Sequence, residues 1–373
     1  MQEEESYMMR CLTLARAGAS SVAPNPMVGA VVTYRGRIIG EGYHRRFGEP
    51  HAEVNAIASV REESWLRSAT LYVNLEPCSH YGKTPPCTEL IIRKRIPRVV
   101  IGCRDPYPEV AGRGISILRK AGVEVITGVL EQEAVALNVF FITAQTRQRP
   151  YIILKWAQSA DGFIDRIRTG PSERPTQLST PVTRRMVHKL RSEVAAVLVG
   201  TQTAWLDNPS LTVRHWAGAS PVRVLIDRNL RIPSAYHLLD GSVRTLVFTG
   251  RSAAGRPGVE YIRLDFSQPV IPQMLLHLYN RQLYSLLVEG GARLHRSFLA
   301  SGLWDELQVE TVSFQLGNGI RPAEIQSDPT DPTDPTVKHL RTVCFPVSGQ
   351  ASEIAFYAHK HSDMDTGVDT KIL

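Results

Sequence analysis

Long apolar runs are missing from this chain of 373 residues: nothing in it approaches the about 20 consecutive apolar residues that span a bilayer. Its start, "MQEEESYMMRCL", is acidic and then amphipathic, without the basic head and apolar centre of a signal peptide. Cysteine is scarce. The five present (Cys11, Cys78, Cys87, Cys103 and Cys344) are odd in number and widely spread, which argues against a disulfide framework. A reducing, cytoplasmic setting fits, and there a Cys pair near a His points to metal. No dense basic block exists either. Lys and Arg number 43 against 36 Asp and Glu, a net charge of +7, and they are scattered. With a pI near 9.2, nucleic-acid binding stays as a competing class that would need a basic stripe and steep salt dependence. Pockets for phosphorylated small molecules account for the same charge. The second half also lacks G-x-G-x-x-G, so it does not read as an ordinary dinucleotide-binding fold.

What is present is ordinary globular material, 43% hydrophobic and 21% charged, long enough for two cores. In the first part, helix signals ("EESYMMRCLTLARAGAS", "HAEVNAIASV", "PCTELIIRKRI", "RGISILRKAG", "EQEAVALNVFFITAQTRQ") alternate with strand signals. The latter are "PMVGAVVTYRGRIIGEGYH", read as a hairpin turning at "YRGR", then "ATLYVNLEP", "PRVVIGC" and "VEVITGV". This pattern predicts a layered α/β domain with a mainly parallel sheet. A boundary falls near "QTRQRP", giving domains over 1–146 and 147–360 and a polar tail over 361–373. The second domain opens on the buried strand "YIILKWA". It continues through a loop over 161–181, a helix over 181–193, the strands "AAVLVG", "PVRVLID", "RTLVFTG" and "YSLLVEGG", and a helix from near Gly291. The triple Asp-Pro-Thr repeat in "SDPTDPTDPTV" excludes helix and reads as a surface loop.

Chemistry is concentrated in "GEPHAEVNA" and "NLEPCSHYGKTPPCTEL". His51, Cys78 and Cys87 supply one imidazole and two thiolates, the three protein ligands of a catalytic zinc whose fourth position takes water. If His51 opens a helix, Glu53 lies in its first turn as general acid/base and not as a ligand. That is the H-x-E, P-C pattern of zinc nucleobase deaminases. Each cysteine follows a proline, and each is expected to open a helix whose N-terminus favours the thiolate. The eight residues between the cysteines depart from the common two. Buried cysteines or structural zinc are the plain alternatives for the cysteines taken alone.

That spacing, with "PNPMVGAVV", "GEPHAEVNA", "LEPCSHYGKTPPC" and "DPYPEVAGRG", closely resembles the bifunctional deaminase/reductase family of riboflavin biosynthesis. The resemblance continues through "LKWAQSADGFI", "TRRMVHKLRSEVAAVLVGTQTAWLDNPSLTVR", "VLID" and "LLVEGGARL" and covers nearly the whole chain. It implies an α/β protein with a three-layer cytidine-deaminase-like N-terminal domain and a dihydrofolate-reductase-like C-terminal domain. It implies hydrolytic removal of the 2-amino group of 2,5-diamino-6-(5-phosphoribosylamino)pyrimidin-4(3H)-one, then NADPH-dependent reduction of the ribosyl chain to ribityl. By the same resemblance, His51, Cys78 and Cys87 bind one zinc and Glu53 shuttles protons. Partners are then phosphorylated pyrimidines, with no nucleic acid and no membrane, and relatives assemble as dimers or tetramers. A deaminase for another base, such as adenosine in tRNA, with a silent second domain, is the runner-up.

Around the first site, Asn25 either reads a pyrimidine edge or caps a turn between prolines. His44, His80 and Lys83 either reach substrate or sit solvated on loops, and Cys11 and Cys103 read as small core residues. In the second half, matching motif positions imply that Lys155, Thr176, Arg191, Leu211, Arg214 and Glu289 face the substrate. Arg191 and Arg214 suit its phosphate, since guanidinium pairs bidentately with phosphate oxygens. Ala157, Thr203, Asp207 and Gly291, Ala292, Arg293, Leu294, His295, Arg296 and Ser297 are implied to line the cofactor site. Gly290 and Gly291 follow a strand and open a helix, where phosphate oxygens can sit; a plain tight turn is the alternative. Asp161, in "SADG", is also readable as a turn residue. Two positions depart from the family. Leu178 stands near where many relatives have tryptophan. Arg228 follows "VLID" where a small polar residue is usual, and could pair with the cofactor's 2′-phosphate, which predicts a preference for NADPH over NADH.

Overall fold

The computed structural model describes residues 3–19, 21–81, 85–107, 111–325, 337–345 and 351–359. Lys83, the Asp-Pro-Thr repeat and the polar tail lie outside them. The chain divides into two compact units, one up to Gln148 and one from Arg149.

The first unit runs α1 (Glu3–Arg16), β1 (Gly29–Tyr34), β2 (Arg37–Tyr43), α2 (Ala52–Ala58), β3 (Thr70–Leu75), α3 (Cys87–Arg93), β4 (Arg98–Cys103), α4 (Arg113–Lys120), β5 (Glu124–Thr127), α5 (Glu131–Leu137) and α6 (Val139–Arg147). Strand order is β2-β1-β3-β4-β5. Arg35 and Gly36 turn the β1–β2 hairpin with φ of 51° and 71°, the two left-handed residues that a type I′ turn requires.

Side chains alternate across a strand, and that alternation sorts the layers. Ala30, Val32, Leu71, Val73, Val99 and Ile101 join α2, α3 and α4 in one core. Val31, Tyr72 and Val100 turn the other way, onto Met8 and Cys11 of α1. Leu75 and Cys103 meet Leu12 and Ala134 of α1 and α5. The result is three layers, with Cys11 and Cys103 in the core as expected.

Two expectations are corrected here. The sheet is not mainly parallel: β1 pairs antiparallel with both β2 and β3, and only β3–β4 and β4–β5 are parallel. A hairpin at one edge forces the first pair, and the chain re-enters beside β1 in the opposite direction. Nor is "EQEAVALNVFFITAQTRQ" one helix. It breaks at Asn138 (φ −109°, ψ 21°), whose amide accepts from Met27 N at 2.8 Å and donates to the Met27 carbonyl at 2.9 Å. An asparagine that bonds backbone elsewhere competes with helix continuation.

The second unit contains β6 (Tyr151–Gln158), α7 (Pro181–Glu193), β7 (Ala196–Gly200), α8 (Thr201–Asp207), β8 (Val222–Ile226), β9 (Thr245–Thr249), β10 (Val259–Arg263), α9 (Val270–Asn280), β11 (Ser285–Gly290), α10 (Ala292–Ser301), β12 (Glu306–Val312), β13 (Val337–Phe345) and β14 (Ser352–His359). They form one sheet in the order β10-β9-β8-β7-β11-β6-β12-β14-β13. Every pair from β10 to β12 is parallel, and β14 and β13 close it antiparallel.

Strand alternation places the chemistry again. Ile152, Leu154 and Trp156 of β6, Leu286 and Val288 of β11, and Leu307 and Val309 of β12 face the core shared with α9 and α10. The intervening Lys155, Glu289 and Glu310 therefore share the opposite face, against which α7 lies: Thr183 bonds Glu310 and Arg191 bonds Glu289.

Candidate functional site

The first site is built from one helix start, one loop and a second helix start. His51 is the N-cap of α2 with extended backbone, and Glu53 sits buried in the first turn. Cys87 opens α3. Cys78 does not open a helix; it lies in the loop after β3. Its sulfur takes the help of a helix start from across the site. The Cys87 N–H donates to Cys78 Sγ at 3.3 Å, and the Thr88 N–H and hydroxyl donate to the Cys78 carbonyl at 3.3 and 3.2 Å.

Cys78 Sγ and Cys87 Sγ stand 3.5 and 3.4 Å from His51 Nδ1, and the three ligand atoms lie within 4.8 Å of one another. A tetrahedral zinc with Zn–S of about 2.3 Å and Zn–N of about 2.0–2.1 Å sets an S···N edge of roughly 3.5 Å. Donor types and spacing both fit zinc. Among the described residues this is the one such cluster of His, Cys, Asp or Glu.

The electrostatics agree with the ligand roles. A hydrogen bond from Cys87, and then the His51 ring, hold the Cys78 thiol down at about 4. The Cys87 thiol is raised, by its bond to Cys78 and by burial. His51 is raised, chiefly by Cys78. Burial first, and the Cys78 sulfur second, push the Glu53 carboxyl up to about 7, against the pull of His51.

Two neighbours complete this site. His44 Nδ1 lies 3.2 Å from the Pro50 carbonyl and so carries the proton, which leaves Nε2 to accept from Asn25 Nδ2 at 3.1 Å. The His44 ring is buried and meets His51 edge-on with centroids 5.5 Å apart. Asn25 is thereby oriented beside the cluster. Glu76, buried two residues before Cys78, accepts the amide N–H groups of Asp105, Gly112 and Ile115 at 3.2, 3.0 and 3.2 Å. It ties the cysteine loop to Asp105 and to the start of α4. His80 is exposed.

The second site lies on the Lys155, Glu289 and Glu310 face and along the carboxyl ends of β6, β7, β8 and β11. Ligands of open parallel sheets bind at such ends. Lys155 is buried, with Nζ 3.3 Å from Glu310 Oε2. Arg191 donates through Nε and Nη2 to both oxygens of Glu289 at 2.6 Å each, and through Nη1 to the Thr212 carbonyl at 3.2 Å. Its bidentate edge is therefore already engaged and not free for the phosphate that the sequence resemblance implies. Burial would raise the Glu289 carboxyl, but the Arg191 charge overrides it and the net shift is downward.

Arg214 is exposed, and its backbone N–H donates to His188 Nδ1 at 3.0 Å. Burial, with Arg191 next, lowers His188 to about 4, which keeps that nitrogen an acceptor. Leu211 is buried with φ of 51°. Thr176 is half-buried and donates its N–H to Asp165 at 2.9 Å. Leu178 is buried, and Ala157 is half-buried on the same sheet face as Lys155.

Among the residues expected at the cofactor, Gly291 caps α10 with φ of 81°, and a Cβ added there would stand 3.0 Å from Thr203 Oγ1. A Cβ on Gly290 would stand 2.7 Å from Val199 Cγ1. Only glycine lets α10 start this close to β7 and α8, and its first amides face outward, as at any helix start. Ala292 is buried and Leu294 half-buried at that end. Arg293, Arg296 and Ser297 lie on the exposed side of α10, whereas His295 is buried against the Trp156 ring and 3.1 Å from the Val288 carbonyl. Asp207 is paired with Arg168. Asp161 accepts the Leu316 and Gly317 N–H groups at 3.0 and 2.7 Å, a loop-fastening role. Arg228 lines an open cleft of about 640 Å³ with Gly250, Arg263 and Phe266, its guanidinium 5.5 Å from the Phe266 ring centre. The cleft also holds the Asp265 carboxylate, and its two arginines leave it suited to an anionic group.

Comparison with known proteins matches both units. The cytidine and deoxycytidylate deaminase zinc-binding region matches residues 1–103, and the RibD C-terminal domain matches residues 150–344. Riboflavin biosynthesis protein RibD of Aquifex aeolicus is 41% identical, over 85% of this chain and 89% of that protein. RibD of Escherichia coli is 36% identical, over 86% and 90%. The crystal structure of a diaminohydroxyphosphoribosylaminopyrimidine deaminase/5-amino-6-(5-phosphoribosylamino)uracil reductase from Thermotoga maritima superposes with a TM-score of 0.84 at 39% identity, over 96% of this chain and 99% of that one. Both halves are thus matched within single relatives along nearly their whole length, and the chain belongs to the bifunctional deaminase/reductase family of riboflavin biosynthesis.

Proposed function

We propose that this protein deaminates 2,5-diamino-6-(5-phosphoribosylamino)pyrimidin-4(3H)-one in its first unit and reduces the ribosyl chain of the product in its second, giving 5-amino-6-(5-phosphoribitylamino)uracil. The observation that carries the reading is the His51, Cys78 and Cys87 cluster, with buried Glu53 in the first turn from His51, in one chain with the Lys155 and Glu289 face. When bound, zinc supplies a Lewis acid that makes water nucleophilic near neutral pH, and NADPH supplies a hydride.

The residues do the remainder. His51, Cys78 and Cys87 hold the metal. Glu53 takes the proton of the attacking water and delivers it to the departing 2-amino nitrogen. Asn25, oriented by His44, reads the pyrimidine edge. In the second unit Lys155, Thr176, Leu211 and Glu289 face the substrate. Arg214, exposed and held at its backbone by His188, meets the phosphate, and Arg191 keeps Glu289 charged and oriented. Thr203 and the start of α10 take the cofactor's phosphates. Precise holding of donor and acceptor is what hydride transfer requires of the protein.

The test is one incubation of zinc-loaded protein with the diaminopyrimidinone ribosyl phosphate and NADPH, following ammonia and NADPH together. Ammonia release followed by NADPH oxidation is expected. Ammonia without oxidation would remove the reductase assignment, and neither signal would remove the substrate.

Arg228 carries a separate prediction. Its place in the cleft suits the cofactor's 2′-phosphate, so kcat/KM should favour NADPH over NADH by about tenfold or more, the worth of one charge-assisted contact. Arg228→Ala should bring the two cofactors close together. A preference unchanged in that variant would dismiss the contact.

A further inference from the structure

The carboxylate of Glu310 is the most completely enclosed charged group on the reductase face, and it joins three parts of the chain. It is fully buried on β12. Its Oε2 receives Lys155 Nζ of β6 at 3.3 Å and the Ser179 hydroxyl at 2.6 Å. Its Oε1 receives the Thr183 hydroxyl of α7 at 2.5 Å. Strand register explains the reach. Glu310 pairs with Ala157, two residues beyond Lys155 on the adjacent parallel strand, so both side chains leave the same face. Ser179 and Thr183 flank Thr180, which caps α7 by accepting the Thr183 N–H at 3.2 Å. The loop that ends there also carries Thr176 and Leu178.

Burying a lone carboxylate is costly unless it is paired and hydrogen-bonded. A neutral acceptor would satisfy the two hydroxyls equally well, so they do not explain the charge. The ammonium of Lys155 does. Other titratable groups stand near that ammonium: the Glu289 carboxylate on β11, held by Arg191, and the His295 imidazole on α10, which burial keeps neutral. Only Glu310 is bonded to it directly among the contacts of the described residues.

We propose that Glu310 is a positioning residue of the reductase: it aims Lys155 at the substrate and, through Ser179 and Thr183, fastens the 161–180 loop over the same face. This rests on the reading of Lys155 as a substrate contact. The effect should reach the substrate more than the binding of the cofactor's phosphates: of the expected cofactor residues Ala157 neighbours Glu310, whereas Thr203, Arg228 and the start of α10 lie elsewhere on the sheet.

The experiment is a double-mutant cycle of Glu310→Gln and Lys155→Met in the full-length protein. It is assayed with 5-amino-6-(5-phosphoribosylamino)uracil and NADPH, with NADPH affinity and ammonia release measured separately. Glu310→Gln should lower kcat for reduction by at least tenfold, with NADPH affinity and ammonia release within about twofold of wild type. In the Lys155→Met background the same change should cost less than twofold. Full multiplication of the two losses, or equal losses in kcat and NADPH affinity, would overturn the positioning role while leaving Lys155 in the site. Undiminished reduction in Lys155→Met alone would overturn the reading beneath it, and the proposal with it. Should Glu310→Gln fail to fold, the double variant decides. Recovered folding on removal of both charges supports the pairing, and continued unfolding shows Glu310 to be an anchor for α7 alone.

Discussion

Glu53→Gln is expected to retain zinc and to release ammonia at least a hundredfold more slowly than wild type. The side chain is buried in the first turn of α2, and glutamine occupies the same volume, so His51, Cys78 and Cys87 keep their mutual spacing. What disappears is the group that carries a proton from water to the leaving nitrogen, a contribution of about 10²–10⁴ in rate. Reduction of supplied deaminated substrate should be unchanged. Zinc content by elemental analysis and ammonia release on the same sample check this. A protein that loses its zinc would show that Glu53 serves the metal and not the proton, and a protein that keeps its activity would end the assignment.

Arg191→Ala is expected to abolish reduction and to destabilise the second unit, with ammonia release within about twofold of wild type. Arg191 holds both oxygens of Glu289, and each side chain is 12% exposed. Removing one partner of a buried pair strands the other charge, a loss on the order of 3–5 kcal/mol. Partial exposure places this pair toward the lower end. Arg191→Lys separates charge from geometry: lysine keeps the charge but cannot form the fork, so stability should recover more than kcat/KM does. Thermal unfolding and reduction kinetics measure the two effects. Reduction that survives Arg191→Ala would dismiss the role, and an equal fall in ammonia release would show the two activities to be coupled.

Legibility in the sequence followed locality. The hairpin at Arg35–Gly36, the helix after His51, the strands of the first unit and β6–β9 and β11 of the second carry their signals within a few residues. The H-A-E and P-C pieces carry theirs as residue types that zinc chemistry requires. The break at Asn138 was not readable, because its cause is Met27, more than a hundred residues away. Neither was the loop position of Cys78, since proline before cysteine suits a helix start and a loop equally. Elements α8, α9, β10 and β12–β14 went unread. A seven-residue helix such as α8 has little local stability, and β13 is an edge strand with no buried run. His44 was read as a loop histidine of either kind; only its burial beside Asn25 and His51 distinguishes it.

By itself, then, the sequence determined the two α/β units and the His51, Cys78 and Cys87 cluster with Glu53 one turn into the helix beside it, because these rest on residue types at short spacing. Tertiary structure alone decided which charges meet. Arg191 faces Glu289, Lys155 faces Glu310, and Glu76 fastens the Cys78 loop to α4. Each of these contacts joins strands or helices far apart in the chain. Sheet register and the alternation of side chains across it set them, and no local pattern records either.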